Sequence, residues 1–248
     1  MDDGRQATEP LRPREPGDLT PAADAGTSGA AHGRQSRITM NAGAGMTKGE
    51  AAAGGDPLVA ALTDYAARFP GEAGVVGLFR QLQANAIVQR PAPAADPYAR
   101  ARLQGHFTAS SWLVDAPGRR VLLTHHRKLG RWLQLGGHAD GERDLRAVAL
   151  KEAEEESGLA DLAVEGGIFD LDRHRIPEHK GVPAHWHYDV RYVVRAVGDD
   201  FVVSDESLAL AWRPIAGIAD DPGMDASLRR MARKWLARGG DRAAVQPT

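Results

Sequence analysis

Three glutamates in the middle of the chain, Glu152, Glu155 and Glu156, have the spacing of neighbours on one helical face. Side chains at i, i+3 and i+4 of an α-helix point to the same side, so three negative charges would lie close together. Such a cluster is unfavourable unless a cation lies between the carboxylates. Hard divalent cations bind oxygen ligands, so the spacing predicts a Mg²⁺ site on this helix, with Mn²⁺ as the alternative ion.

A glycine turn, Gly136-Gly137-His138, precedes the predicted helix, and Gly158 follows it at a position suited to a left-handed cap. Apolar side chains for packing are supplied by Leu145, Val148 and Ala149. A glycine turn that leads into a carboxylate-rich helix can bring a backbone carbonyl, that of Gly136, and side-chain oxygens to one ion. The alternative for the run Glu154-Glu155-Glu156 is a solvated acidic face, the usual place of a charge run.

The segment that begins with this turn resembles the signature of the Nudix hydrolases, Gly-x5-Glu-x7-Arg-Glu-U-x-Glu-Glu-x-Gly-U, where U is aliphatic. Counted from Gly137, residues 151–159 are in register with the second half of the signature. Two positions depart from it. Arg143 occupies the place of the first Glu, with Glu142 one place early, and Lys151 replaces the Arg but keeps a cation that could orient the next glutamate.

The resemblance implies a mixed-sheet α/β/α sandwich over roughly residues 105–237 and hydrolysis of a phosphoanhydride. The substrate would be a nucleoside diphosphate linked to another group, such as a nucleotide sugar, a dinucleotide or a nucleoside triphosphate. Mg²⁺ would be held by Glu152, Glu156 and the carbonyl of Gly136, with Glu155 as a ligand or a support. The general base would be Glu152 or a residue of the loop before the last strand, where Glu206 is the first candidate and Asp205 the second.

Two other functions on the same fold are considered. A nucleotide-sensing binding module that has lost catalysis stays open because of the Arg143 departure. An isoprenoid diphosphate isomerase is disfavoured, since it would be expected to use a catalytic cysteine and the chain has none.

Two further groups of polar residues are candidates for substrate binding. A basic loop that includes His125 and Lys128 could grip terminal phosphates, or it could be a solvated hairpin turn. In the predicted strand 185–192, alternation places four polar side chains on one face: His185, His187, Asp189 and Arg191. The apolar face of that strand must be core, and we predict that the polar face is a substrate wall. Its His-x-His-x-Asp pattern could instead hold a transition metal.

The pattern along the chain predicts three regions. Residues 1–55 have almost no large apolar side chains and are expected to be disordered. Residues 56–97 should form a helical hairpin and a proline-rich linker; the first helix is capped by Asp56 with Pro57 at its first position. This hairpin would pack against the domain behind it, with a dimerisation or lid role as the alternative. Residues 98–240 would be the Nudix domain.

Composition bounds the class of protein. The 248 residues carry a formal net charge of −2 and no cysteine, which excludes disulfides and thiol chemistry and is compatible with a cytoplasmic location. The low net charge gives no sign of polymeric nucleic acid as a partner. An apolar run of membrane-spanning length and a secretory core are not found, so no membrane partner is expected. The expected partner is a small nucleotide-type substrate, and homodimerisation is left open.

Overall fold

The structure, a computed structural model, describes residues 56–87, 94–203 and 207–243, with side chains omitted for 85–87 and 240–243. The predicted disordered tail, residues 1–55, lies outside the described residues. So do the middle of the predicted proline-rich linker, residues 88–93, and residues 204–206, which include the candidate bases Asp205 and Glu206.

Five α-helices and one short 3-10 helix are described. The α-helices are α1 (Pro57–Arg68), α2 (Ala73–Ile87), α3 (Leu145–Ser157), α4 (Ile215–Asp220) and α5 (Ala226–Ala243), and the 3-10 helix spans Pro70–Glu72. No helix among the described residues is long and apolar enough to cross a membrane.

Seven strands form one mixed sheet. They are β1 (His106–Val114), β2 (Arg120–His126), β3 (Arg131–Leu133), β4 (Leu135–His138), β5 (Ala163–Ile176), β6 (His185–Arg195) and β7 (Ser207–Pro214). The main order is β3-β2-β1-β6-β5; β4 pairs with β1 and β7 pairs with β2. The β1–β6 pair is parallel and the other pairs are antiparallel.

Helices cover both faces of this sheet. One core cluster joins Phe107, Ala109 and Val190 to α1, α2 and α3, and a second joins Trp112 and Val193 to α4 and α5. Adjacent residues of a strand point to opposite faces, so the two clusters lie on opposite sides. The predicted α/β/α sandwich with a mixed sheet is therefore confirmed.

The helical hairpin packs as expected against the sheet. The Asp56 carboxylate accepts a hydrogen bond from Leu58 N at 3.0 Å, which caps α1 as the sequence indicated. Phe79 of α2 is fully buried near Phe107 and Tyr188. Leu78 of α2 is exposed, because the helix turns Val76, Phe79 and Leu82 toward the core.

Candidate active site

The helix that carries the three glutamates ends at Gly158 as predicted and begins at Leu145, after the cap residue Asp144. The Asp144 carboxylate accepts hydrogen bonds from Arg146 N and Ala147 N at 3.0 and 3.1 Å and so caps the first turn of α3. Gly158 ends the helix at φ 66°, a left-handed conformation that glycine adopts without strain. Leu145, Val148 and Ala149 are buried. The rigid packing of α3 fixes where its glutamates project.

The glycine turn and the glutamates meet in the folded chain. Gly136 N donates a hydrogen bond to Glu156 Oε1 at 2.8 Å. A Cβ at position 137 would lie 2.5 Å from Glu152 Cδ, so the carboxylate of Glu152 fills the space that a side chain at Gly137 would need. The side chain of Glu152 is 21 % exposed, whereas that of Glu155 is 59 % exposed. The glycine turn and the carboxylates of α3 are therefore in contact on one side of the sheet.

Lys151 lies beside these carboxylates. Its Nζ is 2.8 Å from Glu155 Oε2 and 3.8 Å from Glu152 Oε1. The hydrogen bond to Glu155 raises the pKa of Lys151, so the ammonium group stays charged. A cation at this position therefore offsets part of the repulsion between the glutamates, although exposed pairs of this kind contribute little to stability.

Arg143, the other departure from the signature, has structural partners. Its guanidinium is 3.1 Å from Asp96 Oδ2 and lies 4.3 Å from the centroid of the Tyr98 ring. Glu142 accepts a hydrogen bond from Asp144 N at 2.9 Å. Arg143 therefore ties the segment before β1 to the turn that leads into α3, and Glu142 supports the start of that helix.

Polar side chains also cover one end of the opposite sheet face. Pairing of β1, β6 and β5 aligns nine of them, and His185 lies on the same face of β6, two residues before His187. We call these ten residues the polar face: His106, Thr108, Ser110, Asp170, Asp172, His174, His185, His187, Asp189 and Arg191. His138 of β4 is opposite Thr108 and points to the same side. Gly137, one residue earlier, faces Glu152 on the other side. The polar face and α3 thus lie on opposite sides of the sheet.

Asp189 and Arg191, two predicted substrate contacts, are 2 % exposed each and have protein partners. Asp189 accepts hydrogen bonds from Thr108 Oγ1 at 3.0 Å, Ser110 Oγ at 2.7 Å and Arg191 Nε at 2.7 Å. Gln134 Nε2 donates to the same carboxylate at 3.3 Å. Buried charges require such pairing, so Asp189 and Arg191 are held in a fixed geometry in the free protein.

The network continues across β5 to α5. Arg191 lies 3.2 Å from Asp170 and 3.3 Å from Asp172, and Arg230 and Lys234 approach Asp170 to 2.7 and 2.8 Å. Burial opposes ionisation of Asp170, but the hydrogen bond from Arg230 and the surrounding cations outweigh it and hold its pKa below the usual range. Burial also opposes ionisation of Asp172, but the hydrogen bond with His174 and the charges of Arg191 and Arg230 lower its pKa. Both carboxylates are therefore charged at neutral pH.

Histidines occupy the other end of the polar face. His185 is buried and His187 is half-buried, and their Nε2 atoms are 3.2 Å apart. Burial and the neighbouring imidazoles lower the pKa of His187 to about 2, and burial with the charge of Arg100 lowers that of His138 to about 4. The imidazoles of His187 and His138 are therefore neutral at physiological pH.

The basic loop connects β2 to β3. His125, predicted in this loop, lies instead in β2, where its ring packs on Trp132 with centroids 5.2 Å apart, and Lys128 of the loop is exposed. Arg127 donates to the carbonyl of Ser207 at 3.1 Å, and His126 pairs with Ser207 in the β2–β7 ladder. The strand that follows the candidate base Glu206 therefore starts beside this loop.

The sequence did not single out His106, His138, Asp170 or Asp172 as partners of this region. A signal was present, because His106-x-Thr108-x-Ser110 and Asp170-x-Asp172-x-His174 both alternate polar residues at the period of a strand. Their meeting depends on strand pairing between distant segments, which the local pattern does not specify.

Comparisons with known proteins give one family match. Residues 105–235 match the NUDIX domain. No curated protein matches the chain. The matched residues include both the glycine turn and α3.

Among solved structures, the chain is similar to a NUDIX-family hydrolase from Clostridium perfringens, with 22 % identity, 54 % of this chain and 97 % of that chain covered, and a TM-score of 0.44. An Ap4A hydrolase from C. elegans shares 18 % identity over 54 % of this chain and 98 % of that chain, with a TM-score of 0.44. The NUDIX domain of Shewanella oneidensis NrtR, in complex with ADP ribose, shares 18 % identity over 52 % of this chain and 87 % of that chain, with a TM-score of 0.38.

Proposed function

Because this chain belongs to the NUDIX domain family, we propose that it hydrolyses a phosphoanhydride bond in a nucleoside diphosphate linked to another group. The observation that supports this most is the hydrogen bond from Gly136 N to Glu156 Oε1, which brings the glycine turn to the carboxylates of α3. A solvated acidic helix would have no need of this contact. The class of reaction is metal-assisted hydrolysis.

The donor atoms that the glycine turn and α3 offer are carboxylate and carbonyl oxygens, and such atoms fit a hard divalent ion. Glu152, Glu156 and the carbonyl of Gly136 would hold Mg²⁺, or Mn²⁺ as the alternative, and Glu155 would be a further ligand or a support. When bound, the ion would neutralise the diphosphate and activate water. Glu152 or Glu206 would accept the proton of the attacking water, and Asp205 is the next candidate.

Substrate contacts are proposed at two places. His125 of β2 and Lys128 of the basic loop would attract terminal phosphates. The second place is the polar strand, with His185, His187, Asp189 and Arg191; because this strand face lies on the side of the sheet opposite to α3, it would contact only a part of the substrate that extends beyond the carboxylates. Of these, His187 has an exposed part, whereas Asp189 and Arg191 would have to exchange protein partners for substrate and are better suited to keeping the wall in shape.

The substrate class follows from the proposed site and from the ligands named for similar proteins, Ap4A and ADP ribose. Both contain phosphoanhydride bonds between a nucleoside and a second group. The net charge of −2 gives no sign of polymeric nucleic acid as a partner, and the lack of cysteine is compatible with a cytoplasmic location. The second candidate, a nucleotide-sensing module, is favoured only by Arg143, which takes the place of a carboxylate.

One experiment separates enzyme from sensor. The full chain is incubated with Mg²⁺ and a panel of dinucleotides, nucleotide sugars, ADP ribose and nucleoside triphosphates, and the products are identified by mass. We expect cleavage within the phosphate chain of at least one compound. Tight binding of a panel member without any product would instead support the sensor.

A further inference from the structure

We propose that His106, His185 and His187 form a second metal site, which binds a divalent transition-metal ion of the zinc class. One ring nitrogen from each of these residues lies within 4.8 Å of the other two. The site is separate from the carboxylate site, because its residues are on the polar face and α3 is on the other side of the sheet.

Strand pairing brings the three imidazoles together. His106 of β1 is aligned with His187 of the parallel strand β6, and His185 lies two residues before His187 on the same face of β6. The ring centroids of His106 are 5.1 Å from His185 and 4.9 Å from His187. Three rings from two adjacent strands thus converge without any help from a loop.

Hydrogen bonds to backbone carbonyls fix which nitrogen is available in two of the rings. His106 Nδ1 is 3.1 Å from the carbonyl oxygen of Arg102, and His185 Nδ1 is 2.8 Å from that of Pro183. A carbonyl only accepts, so Nδ1 carries the hydrogen, and a metal ion can bind the lone pair of Nε2. Histidine ligands of metals are oriented in this way, through a hydrogen bond from the nitrogen that does not bind the ion.

The spacing and the unsatisfied polar atom both indicate a ligand. Two nitrogens on one tetrahedral zinc ion, each at about 2.05 Å, are about 3.3 Å apart; the Nε2 atoms of His185 and His187 are 3.2 Å apart. His106 is 1 % exposed, and its Nε2 has no hydrogen-bond partner. A buried polar atom without a partner is uncommon in folded proteins, and an ion between the rings would satisfy it.

The chemistry of the donors selects the ion. Imidazole nitrogens suit zinc, copper, nickel and iron, whereas Mg²⁺ prefers the oxygen ligands on α3. Three protein ligands would leave a fourth position for water, for an anionic group, or for His138, whose ring is 5.1 Å from that of His187.

The test is a titration of the chelator-treated full chain with Zn²⁺, in excess Mg²⁺ so that the carboxylates on α3 are occupied. We expect one equivalent of Zn²⁺ to bind and to raise the melting temperature. His106→Gln and His187→Gln should each weaken Zn²⁺ binding by at least about a hundredfold. His179→Gln, at an exposed histidine outside the cluster, and Glu156→Gln should leave Zn²⁺ affinity unchanged.

A measurement on the wild-type chain keeps the proposal testable if the variants misfold. X-ray absorption of the chain with one equivalent of Zn²⁺ should show a first shell rich in imidazole nitrogen at about 2.0–2.1 Å. An oxygen-dominated shell, no binding of Zn²⁺, or equal affinity in folded His106→Gln and His187→Gln would overturn the site. None of these results depends on phosphoanhydride hydrolysis.

Discussion

The two charged regions of this protein are built in opposite ways. On α3, Glu152, Glu155 and Glu156 carry like charges at a partly open edge, with Lys151 as a nearby cation. On the other side of the sheet, Asp189 and its partners combine opposite charges in a closed network. The first arrangement gathers like charges beside Lys151, and the second pairs Asp170, Asp172 and Asp189 with Arg191, Arg230 and Lys234.

This difference separates a site from its support. Clustered carboxylates are suitable oxygen ligands for a divalent ion, so we expect their contribution to be chemical. Buried ion pairs contribute little net stability over an apolar core, but they are costly to break and hold a fixed geometry. We therefore expect substitutions in the network to change folding first, and substitutions on α3 to change hydrolysis first.

The largest effect on stability is expected for Arg191→Ala. The change leaves Asp170, Asp172 and Asp189 without a shared buried cation, so the free energy of unfolding should fall by about 3–5 kcal/mol. Urea denaturation measures it. Arg175→Ala, at an exposed arginine of the neighbouring strand β5, is the control and should stay within about 0.5 kcal/mol of wild type. A loss of unfolding free energy in Arg191→Ala as small as that in Arg175→Ala would show that the network is dispensable.

A sharper version of the comparison uses two adjacent glycines. A Cβ at position 136 would lie 2.6 Å from Ala109 O and 2.7 Å from Ser110 Cα, which are backbone atoms that cannot easily move. Gly136→Ala should therefore cost about 1–3 kcal/mol by overpacking. A Cβ at position 137 meets only the end of the Glu152 side chain, which can rotate. Gly137→Ala should keep most of the stability and lose hydrolysis.

Thermal unfolding and initial rates on one cleaved substrate check this pair. Gly77→Ala on α2 is the matched control, because a Cβ there would meet no heavy atom within 4 Å. If Gly137→Ala hydrolyses as fast as wild type, the carboxylate of Glu152 is not needed where the structure places it.

Acid should weaken the closed network by a smaller amount. The folded pKa of Asp172 is below its ordinary value of 3.8. As pH falls through 3.8, the unfolded chain binds the proton first, so this contribution to stability is present above that pH and is lost below it. Asp172→Asn should therefore flatten the decline of stability between about pH 4, near the ordinary carboxyl pKa, and about pH 2. Asp220→Asn, at an exposed position, should leave the acid limb as steep as in wild type.

Local chemistry explains what the sequence could predict. The caps at Asp56 and Gly158 depend on residues within a few positions of each other, and both were found where the pattern indicated them. The spacing of the glutamates likewise follows from helix geometry alone. These features are properties of one segment, so no knowledge of the rest of the fold is needed.

Contacts between distant segments could not be predicted from these local patterns. The alignment of His106 with His187, about eighty positions later in the chain, requires the parallel pairing of β1 and β6. Asp170 meets Arg230 and Lys234 only because α5 returns across the sheet. The exposure of Leu78 has the same origin, since the face that α2 buries is chosen by the surface it packs against.

The most direct test of the proposed hydrolase is Mg²⁺-dependent turnover in a matched pair of variants on α3. Glu156→Gln keeps the size of the side chain and an acceptor for Gly136 N but removes the charge, whereas Glu154→Gln removes a charge at an exposed position of the same helix. At limiting Mg²⁺ we predict that Glu156→Gln lowers the rate of product formation by about a hundredfold and that Glu154→Gln matches wild type. Wild-type turnover by a folded Glu156→Gln variant would contradict the account.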